Sequence, residues 1–293
     1  MMETFDKYGY VPAEAEIENK IKSLKNNLDK WCTKDIYKAS LGMIDLTSLT
    51  STDTHSKIKA MVEKVNNFNN VYPQYPVPAS ICVYPNFAKT INDTRSNKSL
   101  HITIVGGCFP ASQSFLEVKM LECVKAVAEG ADEVDIVLAL NYFLDGRFDL
   151  ASKEIRDIKE AITAVNPNVH LKVILETGAL ATVKNMADAS FLAMEAGADF
   201  IKTSTGKIEP AATSMAAWVM CECIKAFYHK TGRRVGFKPA GGIVSAKDAV
   251  LYYAIVDTIL GAEWLTPNYF RFGASRMANN LLSALEGKEL KWY

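Results

Sequence analysis

Eight short apolar segments, separated by longer amphipathic segments, recur between residues 41 and 275 and constrain the fold of this chain more than any other feature. Most of them are apolar along their length rather than alternating, as parallel strands buried on both faces are. Eight strand–helix units over about 250 residues predict a TIM (β/α)8 barrel. The predicted strands are LGMIDL (41–46), ASICVYP (79–85), HITIVGG (101–107), DEVDIVLAL (132–140), HLKVILET (170–177), ADFIKTS (198–204), RVGFKPA (234–240) and YFRFGAS (269–275).

An open, doubly wound sheet is the alternative architecture for this pattern. Such a sheet usually has a glycine-rich phosphate turn after its first strand. The corresponding segment here, MIDLTSLTSTDT (43–54), contains no glycine. Its composition therefore favours the closed barrel.

The first 40 residues precede the barrel pattern and are predicted to form an additional N-terminal helix. Apolar residues recur in this part at steps of three and four, which is the stripe of an amphipathic helix. We therefore divide the chain into an N-terminal extension, residues 1–40, and a barrel domain with a C-terminal tail, residues 41–293. The stripe consists of Ile17, Ile21, Leu24, Leu28 and Trp31.

Charge and composition argue against nucleic acid or a membrane as partner. The 33 basic and 33 acidic side chains cancel, so the chain has no net attraction for a polyanion. No apolar run approaches the roughly 20 residues that span a bilayer, and the N-terminal segment lacks the apolar core of a secretory signal. The six scattered cysteines have no zinc-ligand spacing, so we expect reduced thiols in a cytoplasmic protein.

Four consecutive predicted strands each carry an ionisable residue within an apolar run: Asp135, Lys172, Lys202 and Lys238. A single lysine at a strand end usually extends its ammonium group to solvent. Four such residues on neighbouring strands of a closed barrel would instead meet inside it, near the carboxyl ends of the strands. The sequence thus predicts a partly dry site with three ammonium groups and one carboxylate.

Such a site suits a lysine nucleophile. An amine attacks a carbonyl only when it is neutral, and a second cation together with partial burial lowers the pKa of an amine. Lys202 and Lys238 form the natural pair, one as the amine and the other as the perturbing ammonium. A Schiff base on the amine would act as an electron sink for breaking or making an adjacent carbon–carbon bond. Asp135 and Lys172 are placed to move the protons that this chemistry requires.

Glycine-containing loops follow the last three predicted strands and predict a phosphate site. They are STGK (204–207), AGGI (240–243) and FGAS (272–275). Glycine lets backbone N–H groups approach an anion, and barrels commonly hold phosphate on the loops after strands seven and eight.

The motifs resemble those of the deoxyribose-phosphate aldolase family over residues 41–280 and at the final tyrosine. Members of that family cleave 2-deoxy-D-ribose 5-phosphate to D-glyceraldehyde 3-phosphate and acetaldehyde through a lysine Schiff base. The resemblance implies a TIM barrel, no metal or other cofactor, a sugar phosphate as substrate and a homodimer. The similar segments are MIDLTSLT (43–50), SICVYP (80–85), ADEVDIV (131–137), LKVILETG (171–178), DFIKTSTGK (199–207), VGFKPAGGI (235–243) and FRFGAS (270–275).

The resemblance also implies a role for individual residues. Lys202 is the Schiff-base lysine, and Lys238 is the pKa-perturbing neighbour and proton donor. Asp135 transfers protons, and Lys172 belongs to the same network. Tyr293, on a mobile C-terminal tail, transfers a proton at the carbon next to the iminium. The substrate- and phosphate-binding positions are Asp45, Thr47, Leu49, Cys82, Thr205, Gly206, Lys207, Gly241, Gly242, Gly273 and Ser275.

Three positions qualify this assignment. Cys82 matches a cysteine near the family's pocket, although a buried cysteine also serves as an ordinary small apolar side chain. Val244 stands after strand seven where the family usually has an arginine, and Arg276 follows Ser275 where the family often has a second small hydroxyl residue. We hypothesise that Arg276 supplies the missing positive charge at the phosphate.

Two other functions remain open at this level. Another Schiff-base aldolase on the same fold, such as a transaldolase or a keto-acid aldolase, would use the same chemistry, but FIKTSTGK (200–207) fits these enzymes poorly. A barrel that binds a sugar phosphate as a sensor or scaffold would form no imine. Trapping the imine separates these functions.

Overall fold

The computed structural model describes residues 5–293, and residues 1–4 of the predicted extension lie outside the described residues. Each of the eight predicted apolar segments overlaps a strand, and the first strand extends one residue beyond its segment, to Thr47. The strands are β1 (Ile44–Thr47), β2 (Ser80–Val83), β3 (His101–Gly106), β4 (Glu133–Val137), β5 (His170–Ile174), β6 (Phe200–Lys202), β7 (Gly236–Lys238) and β8 (Phe272–Ala274).

All eight strands are parallel and follow the order β7-β6-β5-β4-β3-β2-β1-β8. Backbone hydrogen bonds also join the two ends of this order. The Phe237 N–H donates to Tyr269 O over 2.8 Å, and the Gly273 N–H donates to Pro239 O over 2.9 Å. The sheet therefore closes on itself, which confirms the predicted TIM barrel.

Helices connect the strands and cover the outside of the barrel. Several begin at the threonine or serine N-caps that favour a helix start; Thr213 Oγ1, for example, accepts from the Ala216 N–H. The helices are α1 (Glu14–Asn26), α2 (Lys34–Gly42), α3 (His55–Val71), α4 (Ala88–Thr94), α5 (Leu116–Ala128), α6 (Leu140–Leu144), α7 (Phe148–Val165), α8 (Thr177–Leu180), α9 (Val183–Glu195), α10 (Ser214–Thr231), α11 (Ala246–Leu260) and α12 (Arg276–Glu286), and short 3₁₀ turns span Phe5–Tyr8, Leu28–Trp31, Pro85–Phe87 and Ala262–Trp264.

The N-terminal extension contains two α-helices, and the predicted apolar stripe is divided between elements. Ile17, Ile21 and Leu24 are buried on α1, whereas Leu28 and Trp31 lie in the following 3₁₀ turn. Helix α1 packs against α10, and α2 packs against α11 and α12. The indole N–H of Trp31 donates to Asp257 Oδ2 over 2.9 Å. The extension thus docks on the helices of the C-terminal half; its boundary at residue 40 stays a prediction.

One aromatic ring in the barrel interior lies next to two of its charged groups. Phe200 on β6 is buried, and a Cβ atom at position 236 would overlap its ring, so Gly236 on β7 makes room for it. Lys172 Nζ and the Arg271 guanidinium lie 5.7 Å and 5.9 Å from the centre of that ring. Aromatic faces attract cations at this range, and the ring therefore supports both.

No helix within residues 5–293 combines the length and the apolar character that crossing a membrane requires.

Candidate active site

Lys202 ends β6 and lies inside the barrel. The residue is 3% exposed, and its Nζ donates to Asp135 Oδ2 on β4 over 2.8 Å. A single strand separates β6 from β4, so the register of the sheet brings the amine to the carboxylate. The two residues are among the four that the sequence predicted to meet.

Lys238 on β7 shares the same carboxylate oxygen. Its Nζ lies 2.7 Å from Asp135 Oδ2 and 2.5 Å from Asp45 Oδ2. Burial opposes the charge on Lys238, but the two carboxylates outweigh it and raise the pKa of Lys238 above its ordinary value. Lys238 is thus a permanent cation that shares one carboxylate oxygen with Lys202.

Asp135 is held by three lysines. Lys172 Nζ on β5 donates to Asp135 Oδ1 over 3.2 Å, in addition to the contacts of Lys202 and Lys238 with Oδ2. Burial alone would raise the pKa of Asp135, but the three ammonium groups outweigh it and hold that pKa well below its ordinary value. Asp135 is therefore ionised at neutral pH.

Two further residues of this network, Glu133 and Arg271, were not predicted. The Glu133 carboxylate on β4 pairs with Lys172 and accepts from Thr103 Oγ1 over 2.7 Å. Arg271 immediately precedes β8; its Nη1 lies 2.6 Å from Asp45 Oδ1 and its Nη2 lies 2.8 Å from Glu133 Oε1. Arg271 meets the criterion by which the lysines were selected, because it is also an ionisable residue within an apolar segment. Glu133 was missed although it lies in the predicted strand DEVDIVLAL (132–140), because it follows Asp132 at the polar start of that segment.

Charges in the barrel interior do not balance. Three carboxylates face four cations, which leaves one excess positive charge. The carboxylates are those of Asp45, Glu133 and Asp135, and the cations are Lys172, Lys202, Lys238 and Arg271. Within residues 5–293, Lys202 has one carboxylate partner, while each other cation has two or more. Lys202 is also the most exposed of the four. Among the four cations, Lys202 is therefore the one with the fewest carboxylate contacts.

Asp45 belongs to this network rather than to the wall of an open pocket. Its side chain is fully buried and pairs with Lys238 and Arg271. Thr47, at the end of β1, is half-buried, and its hydroxyl donates to the Asp45 carbonyl over 2.8 Å. Of these two predicted binding residues, Thr47 is the one that lies at an accessible surface.

Leu49 and Cys82 form a small apolar cluster with Val105, bordered by Tyr84 and Phe109. Burial raises the pKa of the Cys82 thiol, which keeps it in the neutral form. The cysteine thus borders both this apolar cluster and the charged groups Lys238, Asp135 and Lys202.

The loop after β6 is held by a buried glutamate that the sequence did not point to. Glu176 has a left-handed backbone, with φ 54°, which is unusual for a residue with a side chain. Its carboxylate accepts from Thr205 Oγ1 over 2.5 Å and from the Thr205 N–H over 3.2 Å. Lys207 extends in the other direction and donates to Leu49 O over 2.8 Å. The predicted residues Thr205 and Lys207 thereby join the loops after β1, β5 and β6.

The predicted glycines let these loops approach one another. A Cβ atom on Gly241 would come within 2.6 Å of Ala211 Cβ and within 3.1 Å of Gly206 Cα, and one on Gly273 would come within 2.7 Å of Ala240 Cβ. Gly242 is exposed and has φ 77°. The loops after β6, β7 and β8 are thus adjacent, as a shared anion site requires.

Ser275 and Arg276 are exposed at the start of α12 and line a cavity of about 360 Å³. This cavity also has Thr47, Lys57 and Lys64 in its lining. Val244, where the sequence resemblance expects an arginine, contributes only backbone contacts: its N–H donates to Asp248 and its carbonyl accepts from Asn280. Positive charge at this cavity therefore comes from Lys57 and Lys64 on α3 and from Arg276 on α12 rather than from the loop after β7.

Tyr293 docks beside this cavity and does not join the lysine network. Its ring stacks on Phe68 of α3 with centroids 5.5 Å apart. Asn279 on α12 holds the tail by its backbone: the amide donates to Tyr293 O over 2.8 Å and accepts from the Tyr293 N–H over 2.9 Å. The phenol is buried without a hydrogen-bond partner among the described residues.

Within residues 5–293 no group of three or more histidine, cysteine, aspartate or glutamate side chains is arranged to hold a metal ion.

A closed parallel barrel that gathers lysines around one buried carboxylate is the architecture of a lysine-dependent aldolase. Residues 39–262 match the model of the DeoC/LacD family aldolases, and the chain belongs to this family. Human deoxyribose-phosphate aldolase is 36% identical over 282 residues, 92% of this chain and 86% of the human protein. The bovine enzyme of that name is 37% identical over 278 residues, 91% of this chain and 85% of the bovine protein.

Among solved structures, the deoxyribose-phosphate aldolase of Aeropyrum pernix, described as a unique tetrameric structure, is similar with a TM-score of 0.68. The similarity covers 93% of this chain and 98% of that chain at 23% sequence identity. It supports the barrel fold.

Proposed function

We propose that this protein reversibly cleaves 2-deoxy-D-ribose 5-phosphate to D-glyceraldehyde 3-phosphate and acetaldehyde, with Lys202 as the Schiff-base lysine. The observation that carries the proposal is the arrangement of Lys202 and Lys238 on one oxygen of Asp135 in a network with one excess positive charge. The names of the human and bovine relatives supply the substrate. The family points to a role in deoxyribonucleotide and carbohydrate catabolism.

The reaction begins when the neutral amine of Lys202 attacks the aldehyde carbon C1 of the open-chain sugar. Loss of water from the carbinolamine gives an iminium ion. The C3 hydroxyl then loses its proton, the C2–C3 bond breaks, and its electron pair moves toward the iminium to form an enamine while glyceraldehyde 3-phosphate leaves. Protonation of the enamine carbon and hydrolysis release acetaldehyde and restore the amine.

Asp135 and Lys238 are the groups we assign to proton transfer in the first steps. Both contact Lys202 or its carboxylate partner directly, with distances of 2.7 to 2.8 Å. Because a carboxylate with a depressed pKa is a weak base, Asp135 acts together with the ammonium groups that it binds rather than alone. Lys172 takes part in the same proton transfer through Asp135 Oδ1, the carboxylate oxygen that Lys202 and Lys238 do not contact.

Trapping the imine with borohydride tests the function directly. Incubation with acetaldehyde and borohydride should add one ethyl group to the protein, and peptide analysis should place it on Lys202. Lys202→Arg should acquire no adduct, whereas Lys184→Ala, which changes an exposed lysine on α9, should react like the parent protein. A sugar-phosphate sensor predicts no adduct. An adduct formed with pyruvate or dihydroxyacetone but not with acetaldehyde indicates a different aldolase.

Arg276→Ala should raise KM for deoxyribose 5-phosphate by about tenfold, since a charge-assisted hydrogen bond is lost. The value for unphosphorylated deoxyribose should stay unchanged, because that sugar has no phosphate to contact. Steady-state kinetics with both substrates check this, with Arg156→Ala on α7 as the matched exposed arginine. An equal change for both sugars would remove Arg276 from the phosphate site.

Tyr293→Phe should slow exchange of solvent deuterium into acetaldehyde by about a hundredfold, if the phenol transfers the proton at the enamine carbon. Thermal stability should be unchanged or higher, because the hydroxyl is buried without a partner in the docked tail and its removal leaves no group unsatisfied. The Lys202 imine should still form. Unchanged exchange would show that the docked tyrosine has no part in proton transfer.

A cytoplasmic homodimer is the assembly that we propose. All six cysteines are free, as thiols in a reducing compartment are. The Aeropyrum pernix structure is described as tetrameric, so light scattering on the purified protein is the measurement that decides between a dimer and a larger assembly.

A further inference from the structure

We propose that Arg271, immediately before β8, is a positioning residue that limits the number of carboxylates in contact with Lys202 and so lets the Lys202 amine lose its proton. This inference rests on the proposed function, because it concerns the step in which Lys202 becomes a nucleophile. Arg271 itself touches neither the Lys202 amine nor the open end of the barrel; it acts through the carboxylates that it binds.

The first step of the argument is how Arg271 distributes the carboxylates. Its guanidinium binds both oxygens of Glu133, over 2.8 and 3.2 Å, and one oxygen of Asp45, over 2.6 Å. These two carboxylates are the remaining partners of Lys172 and Lys238. Because Arg271 also binds these two carboxylates, Lys172 and Lys238 contact Asp135 as well. Lys202 therefore shares the Asp135 carboxylate with two other ammonium groups.

The second step is the surroundings of Arg271, which keep its charge in place. It is 2% exposed, its Nε donates to the carbonyl of Pro267, and its guanidinium faces the Phe200 ring. A guanidinium stays protonated in proteins and binds carboxylates through a planar fork, which an ammonium group cannot imitate. Arg271 is thus a fixed positive charge in the barrel interior.

The third step is the effect of removing the charge from either member of the ion pair between Arg271 and Glu133. Without the Arg271 charge, three carboxylates would face three lysines; Glu133 and Asp45 would take Lys172 and Lys238, and Asp135 would hold a protonated Lys202. Without the Glu133 charge, two carboxylates would face four cations, and Lys202 would lose its proton more readily. Opposite shifts are therefore expected from two variants that break the same ion pair.

Every ionisable group facing the network has to be considered in such a test. The His101 ring lies 2.7 Å from Glu133 Oε1, and the His170 ring lies 3.9 Å from it. Glu133→Gln alters the surroundings of both rings, but Arg271→Met leaves their contacts with Glu133 in place. The groups are Asp45 on β1, Cys82 on β2, His101 on β3, Glu133 and Asp135 on β4, His170 and Lys172 on β5, Lys202 on β6, Lys238 on β7 and Arg271 before β8.

The experiment measures the rate of borohydride-trapped imine formation from acetaldehyde as a function of pH, by mass spectrometry. Arg271→Met should move the midpoint of the acidic limb to higher pH by about one unit or more, and Glu133→Gln should move it to lower pH by a similar amount. Arg271→Lys, which keeps the charge but not the planar fork, should have a midpoint closer to that of the parent protein than Arg271→Met has. The double variant Glu133→Gln/Arg271→Met restores one excess positive charge, and its midpoint should return toward that of the parent protein.

Shifts in the same direction, or unchanged midpoints, would overturn the proposal, because loss of packing alone has no reason to act with opposite signs. If Arg271→Met does not fold, Glu133→Gln decides: a lower midpoint supports the proposal and an unchanged one refutes it. Failure of the proposed function looks different, since the unmodified protein would then form no imine on Lys202 at any pH.

Discussion

Replacing Lys202 with methionine should reduce aldol cleavage by at least about a thousandfold, which corresponds to about 4 kcal/mol of lost transition-state stabilisation. The thioether has a similar length but cannot form a Schiff base, so the electron sink for carbon–carbon cleavage is lost. The measurement is the rate of acetaldehyde release from deoxyribose 5-phosphate.

The fold should tolerate this change. Asp135 keeps Lys172 and Lys238 as partners, and the interior would then hold three carboxylates and three cations. We therefore expect thermal unfolding close to that of the parent protein. Lys202→Arg is the control for charge, since it keeps a cation at the position without a nucleophile and should be equally inactive. Substantial cleavage by either variant would mean that another lysine carries the imine.

Asp135→Asn should have the second largest effect, because it changes both the chemistry and the stability. Activity should fall by about a hundredfold or more, as for loss of a proton-transfer group. Stability at pH 7 should fall by about 3 kcal/mol, since removing one member of a buried ion pair leaves the other charges uncompensated. Lys172, Lys202 and Lys238 all lose a partner in this variant.

The stability difference should depend on pH with a definite sign. The folded-state pKa of Asp135 lies below the ordinary aspartate value, about 3.9 in an unfolded chain. A depressed pKa stabilises the fold fully above the unfolded value, and the contribution declines as pH falls from there toward the folded value. Denaturant unfolding should therefore show the largest gap between the parent protein and Asp135→Asn at neutral pH and a smaller gap below about pH 4.

Asp93→Asn is the matched control for this series, because that aspartate is 58% exposed on α4 and pairs with Lys89 at the surface. It should change neither activity nor the pH dependence of unfolding measurably. An Asp135→Asn variant with parental activity would leave Asp135 a purely structural role.

The periodicity of the sequence determined the barrel, and the same pattern located most of the chemistry. Eight apolar runs specify eight buried parallel strands, and one strand–helix unit between consecutive ionisable residues means that their side chains meet once the sheet closes. Strand spacing by itself is enough to bring Asp135, Lys172, Lys202 and Lys238 together. The same reasoning extends to Arg271, which also lies in an apolar run and was not singled out.

Tertiary contacts decided the features that no local pattern carries. Helix α5 has apolar residues on an exposed face, since Val118 and Leu121 are 48% and 67% exposed; periodicity does not state whether a helix face meets the barrel. Tyr293 docks on Phe68 and Asn279, partners set by the packing of α3 and α12 rather than by the tail's own sequence.

The charge balance of the site was also decided by the closed barrel. Glu133 stands at the polar start of its predicted strand, and Asp45 was predicted to bind substrate, yet both are fully buried ion-pair partners. Sequence spacing alone names the strand on which a charge lies. Whether that charge is paired, shared or in excess depends on which strands become neighbours across the barrel, because Coulomb interactions act over a few ångströms of space and not along the chain.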